Sequence, residues 1–168
     1  MVTTPHFKAS EDGYSLIEAL VGASLLAVFF AAVFGMNGMC LRTINTTKET
    51  LAAIQAVHDR SETLRNLGFT DLTDTAFLQG VLADPANQAP LLGRATEVVE
   101  LRKYPVDVAD GVTRFKRSPN GSLETYPGAT SLGSGLVKVD VTLYWTAGVG
   151  NRDRSEQTSS IVSNGTKK

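Results

Sequence analysis

The sequence of 168 residues predicts an α+β protein in which one long N-terminal helix packs on a small antiparallel sheet. Three observations lead to this fold class. Residues 19–41 are 23 consecutive uncharged residues, most of them apolar. Residues 42–67 repeat apolar side chains at the spacing of an amphipathic helix. Beyond residue 98 the apolar residues alternate with polar ones, which is typical of strands with one buried face.

The uncharged run predicts a segment that crosses a membrane or forms the core of a filament. As a helix, 23 residues span roughly 35 Å, enough for a hydrocarbon core of about 30 Å. Leu20, Leu25, Phe29 and Phe34 lie all around such a helix, so the run is not a surface stripe. The rest of the chain offers no comparable apolar mass to bury it, which disfavours a core helix.

A secretory signal peptide is a second interpretation of the N-terminus, and the residues disfavour it. Signal peptides have a basic start and an apolar run of about 7–15 residues. Here the run is longer, and the residues before it include one base, Lys8, against Glu11 and Asp12. Arg42 and Lys48 follow the run, so charge alone leaves the membrane topology open.

Glu18 stands at the head of the apolar run, between Ile17 and Ala19. An unpaired carboxylate at membrane depth costs on the order of 2–3 kcal/mol even on lenient scales. Glu18 either reaches water at the membrane surface or has a specific partner. Since Leu16 and Ile17 extend the apolar run outward, we favour a functional role with a partner.

The segment Gly13–Val21, with the sequence GYSLIEALV, resembles the signal of type IV prepilins, whose usual form is G-F-T-L-I-E-x-L-V. The resemblance extends from Gly13 to Ile44. It implies that a prepilin peptidase cuts between Gly13 and Tyr14 and methylates the new amino group of Tyr14. It also implies that Glu18 pairs with the amino terminus of a neighbouring subunit during assembly. The chain departs from many members in having Gly35 where they have a helix-breaking proline.

The resemblance implies a structural minor subunit of a type IV pilus or a type II secretion pseudopilus, with a ladle-like pilin fold. Its partners would be other pilin or pseudopilin subunits, the prepilin peptidase and the inner-membrane assembly platform. It would cross the bacterial inner membrane once, with its head outside the cytoplasm, before entering the filament. The alternative is a single-pass membrane protein with a small extracytoplasmic binding domain that forms no filament.

This interpretation divides the chain into four parts. They are a cleaved leader (1–13), the apolar half of the helix (14–41), its amphipathic half (42–68) and an α+β head (69–168). The helix is predicted to end near Leu67, with Gly68 as its C-cap.

The head is predicted to contain a short helix near Thr75–Leu82 and four strands. The extended segments Val98–Val108 and Val112–Lys116 flank Asp110-Gly111, which is a hairpin signal, and Asn120-Gly121 marks another turn. Leu136–Trp145 is the clearest strand. A turn at Gly148–Asn151 and a polar edge strand at Glu156–Ser163 follow. This final hairpin is similar to PilV-like minor pilins and to I-type pseudopilins.

Several function classes are disfavoured. The 16 basic and 17 acidic residues leave no excess charge for a broad nucleic-acid surface. One cysteine, Cys40, excludes an internal disulfide and a CxxC site. The chain contains no GxGxxG, P-loop, HExxH or GxSxG motif, so we expect no enzyme and no cofactor. His58 is a single histidine on the helix, and we expect the acids at 107, 110 and 153 to be solvated in turns rather than to bind a metal.

Overall fold

The computed structural model describes residues 16–84, 90–106, 111–128, 132 and 135–165. Its first element is a helix of 51 residues, α1 (Leu16–Asn66), which agrees with the predicted helix over the described residues. The chain divides into two compact units, Met1–Arg42 and Thr43–Lys168. The described part of the first unit is the apolar half of α1. The second unit joins the amphipathic part of α1 to the predicted head (69–168), and from here on we call this whole unit the head.

The head begins with the last part of α1 and continues through two short helices, α2 (Phe69–Thr73) and α3 (Thr75–Ala83). The predicted helix near Thr75–Leu82 is confirmed as α3. Asp74 caps it, since its carboxylate accepts hydrogen bonds from the backbone N–H groups of Ala76 and Phe77 at 2.9 and 3.3 Å. A 3-10 helix (Pro90–Gly93) then leads to the sheet.

Gly68 does not have the role that we predicted for it. A C-capping glycine adopts the left-handed conformation, whereas Gly68 has φ −62° and ψ 150° and stands at the N-cap position of α2. Its carbonyl accepts a hydrogen bond from the N–H of Leu72 at 2.9 Å. A new helix starts directly after α1, so no left-handed residue is needed there.

The sheet is antiparallel, and the described residues form five strands in the order β3-β2-β1-β4-β5. The strands are β1 (Ala95–Tyr104), β2 (Thr113–Arg117), β3 (Leu123–Tyr126), β4 (Leu136–Thr146) and β5 (Asp153–Ser163). We predicted four strands and missed β3, because four residues are too short for a period-two pattern to stand out. The edge position of β5 is confirmed.

The turns follow the predicted glycine signals in two of three places. Gly121 has φ +83° at the β2–β3 turn, and Gly150 and Asn151 have φ +83° and +48° at the β4–β5 turn. The connection between β1 and β2 is longer than the two-residue turn that Asp110-Gly111 suggested, since β1 ends at Tyr104 and β2 begins at Thr113. Asp110 lies outside the described residues.

The hydrophobic core lies between one face of the sheet and the helices. Ala53, Val57 and Leu64 of α1 belong to the same buried cluster as Val99 and Phe115 of the sheet. The predicted alternation of β4 is confirmed, and its inward side chains are all buried: Val137, Val139, Val141, Leu143 and Trp145. The amphipathic part of α1 therefore belongs structurally to the head.

Candidate assembly surface on the N-terminal helix

The apolar half of α1 presents large hydrophobic side chains to its surroundings. The most apolar stretch of α1 is not buried by any other part of the described chain. Among the described residues, α1 is the one helix long and apolar enough to cross a membrane. The large exposed side chains that it carries before Arg42 are Leu16, Ile17, Leu20, Val21, Leu25, Leu26, Val28, Phe29, Phe30, Val33, Phe34, Met36, Met39 and Leu41.

Ser24 and three glycines of this half of the helix suit an apolar environment. The Ser24 hydroxyl donates a hydrogen bond to the carbonyl of Leu20 at 2.8 Å, so its polarity is satisfied within the helix. A Cβ atom added at Gly22, Gly35 or Gly38 would meet nothing within 4 Å. These three positions leave the backbone open to close approach by another helix.

Glu18 lies in the first turn of α1 and is exposed. A carboxylate is favoured there because the free N–H groups at a helix N-terminus carry partial positive charge. Its neighbours Ile17 and Leu20 are 72% and 63% exposed, so an acid stands within an apolar surface. Within the described residues no salt bridge to Glu18 is found.

The other two predicted site residues, Gly13 and Tyr14, lie outside the described residues. The cleavage between them and the methylation of Tyr14 stay predictions. The described part of the chain therefore holds one member of the predicted site, Glu18, together with the surface that surrounds it.

Sequence reasoning missed a cluster of charged residues in the core of the head. The guanidinium of Arg60 donates two hydrogen bonds to the carboxylate of Glu97, from Nε at 2.6 Å and from the second terminal nitrogen at 3.1 Å. Arg117 is opposite Glu97 in the β1–β2 register. All three side chains are buried, at 4%, 4% and 3% exposed. We define Arg60, Glu97 and Arg117 as the buried charge cluster.

The cluster has one more positive than negative charge. Burial lowers the pKa of Arg117, Glu97 acts against that shift, and Arg60 adds to it. One terminal nitrogen of Arg117 is buried and has no hydrogen-bond partner among the described residues. The pattern offered a signal for the cluster, since Arg60 shares a helix face with Val57 and Leu64, and Glu97 has the same strand parity as Val99.

The opposite face of the sheet carries a second group of ions. Glu100 accepts hydrogen bonds from Arg102 and Arg114 at 2.6 and 2.7 Å. Burial raises the pKa of Glu100, but the hydrogen bonds and positive charges of the two arginines outweigh it, so the pKa is lowered overall. Asp140 is 5% exposed and pairs with Lys138, whose ammonium lies 2.8 Å away.

The other side chains considered for a chemical role do not form a common site among the described residues. His58 is exposed on α1, and Cys40 is a free, exposed thiol. The carboxylate of Asp153 accepts a hydrogen bond from the Thr146 hydroxyl at 2.9 Å. Within the described ranges no three metal-ligating side chains converge. Asp107 and Asp110 lie outside those ranges.

Comparisons of the chain with protein-family models, with characterised proteins and with solved structures find no match.

Proposed function

We propose that this chain is a minor subunit of a type IV pilus or a type II secretion pseudopilus, processed by a prepilin peptidase and assembled through the apolar half of α1. The observation that carries the proposal is a membrane-length helix whose apolar surface is unburied and bears one carboxylate, Glu18, in its first turn. The motif GYSLIEALV around Glu18 supports the same function.

The physical argument concerns where Glu18 finds a counter-charge. Removal of residues 1–13 creates a positively charged amino group on Tyr14, at the edge of the apolar segment. When helices pack in a filament, the amino group of one subunit neutralises Glu18 of its neighbour. Each charge is costly alone in an apolar environment, and pairing makes both tolerable, so the pair fixes the register between subunits.

The surface around Glu18 supports packing between helices. In a bilayer the side chains from Leu16 to Leu41 contact lipid, and in a filament they contact the helices of other subunits. Gly22, Gly35 and Gly38 allow close approach at intervals along the helix. In this proposal the chain resides in the bacterial inner membrane before it is extracted into the filament.

The N-terminus of the native protein tests the processing step. Mass spectrometry of the protein purified from its own cells is expected to show an N-methylated Tyr14 as the first residue. A chain that still begins with Met1, or one cut beyond Leu41, would reject the proposal. The first of these results would instead favour a single-pass protein with an extracytoplasmic binding domain.

The role of Glu18 is tested by substitution. Glu18→Ala is expected to leave membrane insertion intact and to reduce incorporation into sheared filaments at least tenfold. Ser24→Ala is the matched control, because it removes a polar group from the same half of α1 that bonds only within its own helix. Wild-type incorporation of Glu18→Ala would show that the carboxylate has no part in assembly.

A further inference from the structure

A small cavity of the head lies between α1 and the 3-10 helix that precedes β1. Its volume is about 230 Å³. It is bounded by Lys48, Glu49 and Ala52 of α1, by Leu91 of the 3-10 helix and by Arg94. We call this cavity the Arg94 cleft. All of its residues belong to the second compact unit, so the cleft is part of the head.

The Arg94 cleft combines an apolar base with a basic rim. Most of its lining surface is apolar. Leu91 is 5% exposed and belongs to the buried cluster, and Ala52 packs against that cluster. The side chain of Arg94 is 68% exposed, and Lys48 is exposed as well. A ligand that carries an anionic group next to an apolar part matches this arrangement.

Both cations of the rim have hydrogen-bond donors that the head does not use. Within the described part of the chain, Lys48 makes no ion pair and no hydrogen bond through its side chain. A terminal nitrogen of Arg94 lies 3.6 Å from the Glu49 carboxylate, longer than a charge-assisted hydrogen bond of about 2.7–2.9 Å. A phosphate group suits this pair, because a guanidinium binds two phosphate oxygens at once and an ammonium adds a second positive charge.

Glu49 also borders the cleft, but the β4–β5 turn engages its carboxylate. The N–H of Gly148 donates to both carboxylate oxygens, at 3.1 and 3.4 Å. Glycine permits this approach, since a Cβ atom at position 148 would lie 2.9 Å from Oε1 of Glu49. The side chain of Glu49 is 16% exposed. One partly buried acid therefore faces two exposed cations, which leaves an excess of positive charge at the cleft.

The place of the cleft in the sequence indicates a source for such a ligand. Lys48 follows Leu41, the last residue of the apolar run, by seven residues. Seven residues span at most about 25 Å, whatever their conformation. Basic residues just outside a membrane-spanning segment attract anionic lipid headgroups. Since phospholipids carry a phosphate next to an apolar part, the membrane supplies the matching ligand close to the cleft.

We propose that the Arg94 cleft binds an anionic phospholipid of the membrane that α1 crosses. The phosphate group lies between Lys48 and Arg94, and the adjoining apolar part of the lipid packs on Ala52 and Leu91. This inference rests on the membrane residence in the proposed function. It does not depend on processing, on Glu18 or on filament formation.

A free phosphate ion fits the cleft less well than a lipid. It has no apolar part to cover Ala52 and Leu91, so that contact contributes nothing to its binding. A lipid is also confined to the membrane next to the chain, which raises its effective concentration at the cleft.

The test uses the full chain in micelles of a neutral detergent, with phosphatidylglycerol and phosphatidylcholine supplied in equal amounts. Native mass spectrometry counts the lipid molecules that stay bound. Phosphatidylglycerol is expected to be retained at least fivefold more than phosphatidylcholine, whose phosphate is accompanied by a quaternary ammonium group. Equal retention of the two lipids would overturn the proposal.

Flotation of the chain with phosphatidylcholine vesicles separates this inference from the proposed function. A chain that does not insert would contradict membrane residence and the lipid site together. An inserted chain that does not prefer phosphatidylglycerol would contradict the Arg94 cleft alone.

Three charge variants locate the binding site. Arg94→Gln and Lys48→Gln each remove one cation of the rim and are expected to reduce the preference for phosphatidylglycerol to less than twofold. Arg65→Gln is the matched control, because it removes an exposed cation of the same helix that pairs with Glu62 at 2.8 Å. This control is expected to keep the wild-type preference. An equal loss in all three variants would show attraction by overall charge and would overturn the site.

Ala52→Leu examines the apolar base of the cleft without a change of charge. The larger side chain occupies space beside Leu91, so binding of phosphatidylglycerol is expected to fall at least threefold. Inorganic phosphate is expected to displace the lipid no better than chloride at equal ionic strength. Wild-type binding by Ala52→Leu, with Trp145 fluorescence showing that it is folded, or specific displacement by phosphate would overturn the lipid site.

Discussion

At the scale of single residues, the three members of the buried charge cluster should contribute unequally to the free energy of unfolding. Glu97 lies between two arginines, since Arg60 bonds to it directly and Arg117 is opposite it in the β1–β2 register. Loss of Glu97 leaves two cations buried near each other. Loss of Arg60 leaves Glu97 with Arg117 as a counter-charge. The free energy of unfolding should therefore respond more to the acid than to either base.

We expect Glu97→Gln to lower the free energy of unfolding of the head by about 3–5 kcal/mol, the range for breaking a buried pair. Arg60→Met should cost about 1–3 kcal/mol, because a neutral chain of similar length leaves no unpaired cation. Urea unfolding followed by Trp145 fluorescence measures both, since Trp145 is the one tryptophan of the chain and is 5% exposed. Equal effects of the two variants would show that Arg117 does not interact with Glu97.

Glu100 makes the stability of the head depend on pH. Its pKa is lowered in the folded state from the ordinary value of 4.5 by Arg102 and Arg114, despite partial burial. This carboxylate therefore contributes stability that is fully present above about pH 4.5 and is lost as the pH falls through the lower folded-state value.

Glu100→Gln should cost about 1 kcal/mol at pH 7, as expected for a partly exposed ion pair. The difference from wild type should shrink as the pH falls below 4.5, since protonation then removes the same charge from the wild-type protein. Unfolding of both proteins at pH 7, 5 and 3 checks this. A difference that stays constant over that range would show that the ion pairs of Glu100 do not contribute to stability.

At the scale of elements, periodicity predicts the structure wherever a pattern continues for several residues. The amphipathic part of α1 and the alternation in β4 both agree with the sequence, because burial of one face imposes a period that is visible in the residue types. β3 and α2 are short, so they show no period, and contacts made elsewhere in the chain decide their conformation.

Two glycines show why residue type alone does not reveal the contacts of an element. Gly80 lies within α3, and a Cβ atom added there would meet nothing within 4 Å. Gly128 follows β3, and a Cβ atom added there would clash with the carbonyl oxygen of Val112. The sequence gives no sign of this difference, since the contact at Gly128 is made with a residue before β2.

The two alanine substitutions should therefore change stability in opposite directions. Gly80→Ala is expected to raise the free energy of unfolding by about 0.5–1 kcal/mol, because alanine favours a helix interior over glycine. Gly128→Ala is expected to lower it by about 1–3 kcal/mol, because the backbone near Val112 must shift to admit a methyl group. Thermal unfolding followed by circular dichroism compares them, and a neutral Gly128→Ala would contradict the close approach.

At the scale of the whole molecule, the apolar residues serve two separate purposes. The buried cluster of the head runs from Ala53 to Trp145, whereas the large apolar side chains before Arg42 are exposed. The sequence could reveal this division, because a run of 23 uncharged residues has no counterpart elsewhere in the chain. It could place Arg60 and Glu97 on inward-facing positions, but it could not reveal that they meet, because that contact depends on how distant segments pack.

The division predicts that the head folds without the apolar half of α1. A fragment comprising residues 43–168 retains every member of the buried cluster, and the compact unit begins at Thr43. We expect this fragment to be monomeric in buffer without detergent and to unfold in one cooperative transition with the Trp145 emission of the full chain. The full chain should require detergent or lipid, because its exposed apolar helix would otherwise aggregate.

A second fragment, residues 58–168, provides the control for this prediction. It lacks Ala53, Ala56 and Val57, which are 0%, 7% and 3% exposed, so the sheet loses part of the apolar surface that covers it. Losing the buried contacts of these three side chains costs several kcal/mol, a large part of the roughly 5–15 kcal/mol that stabilises a typical domain. Equal stability of the two fragments would mean that residues 43–57 of α1 do not contribute to the core of the head, and this part of the helix would then need another role.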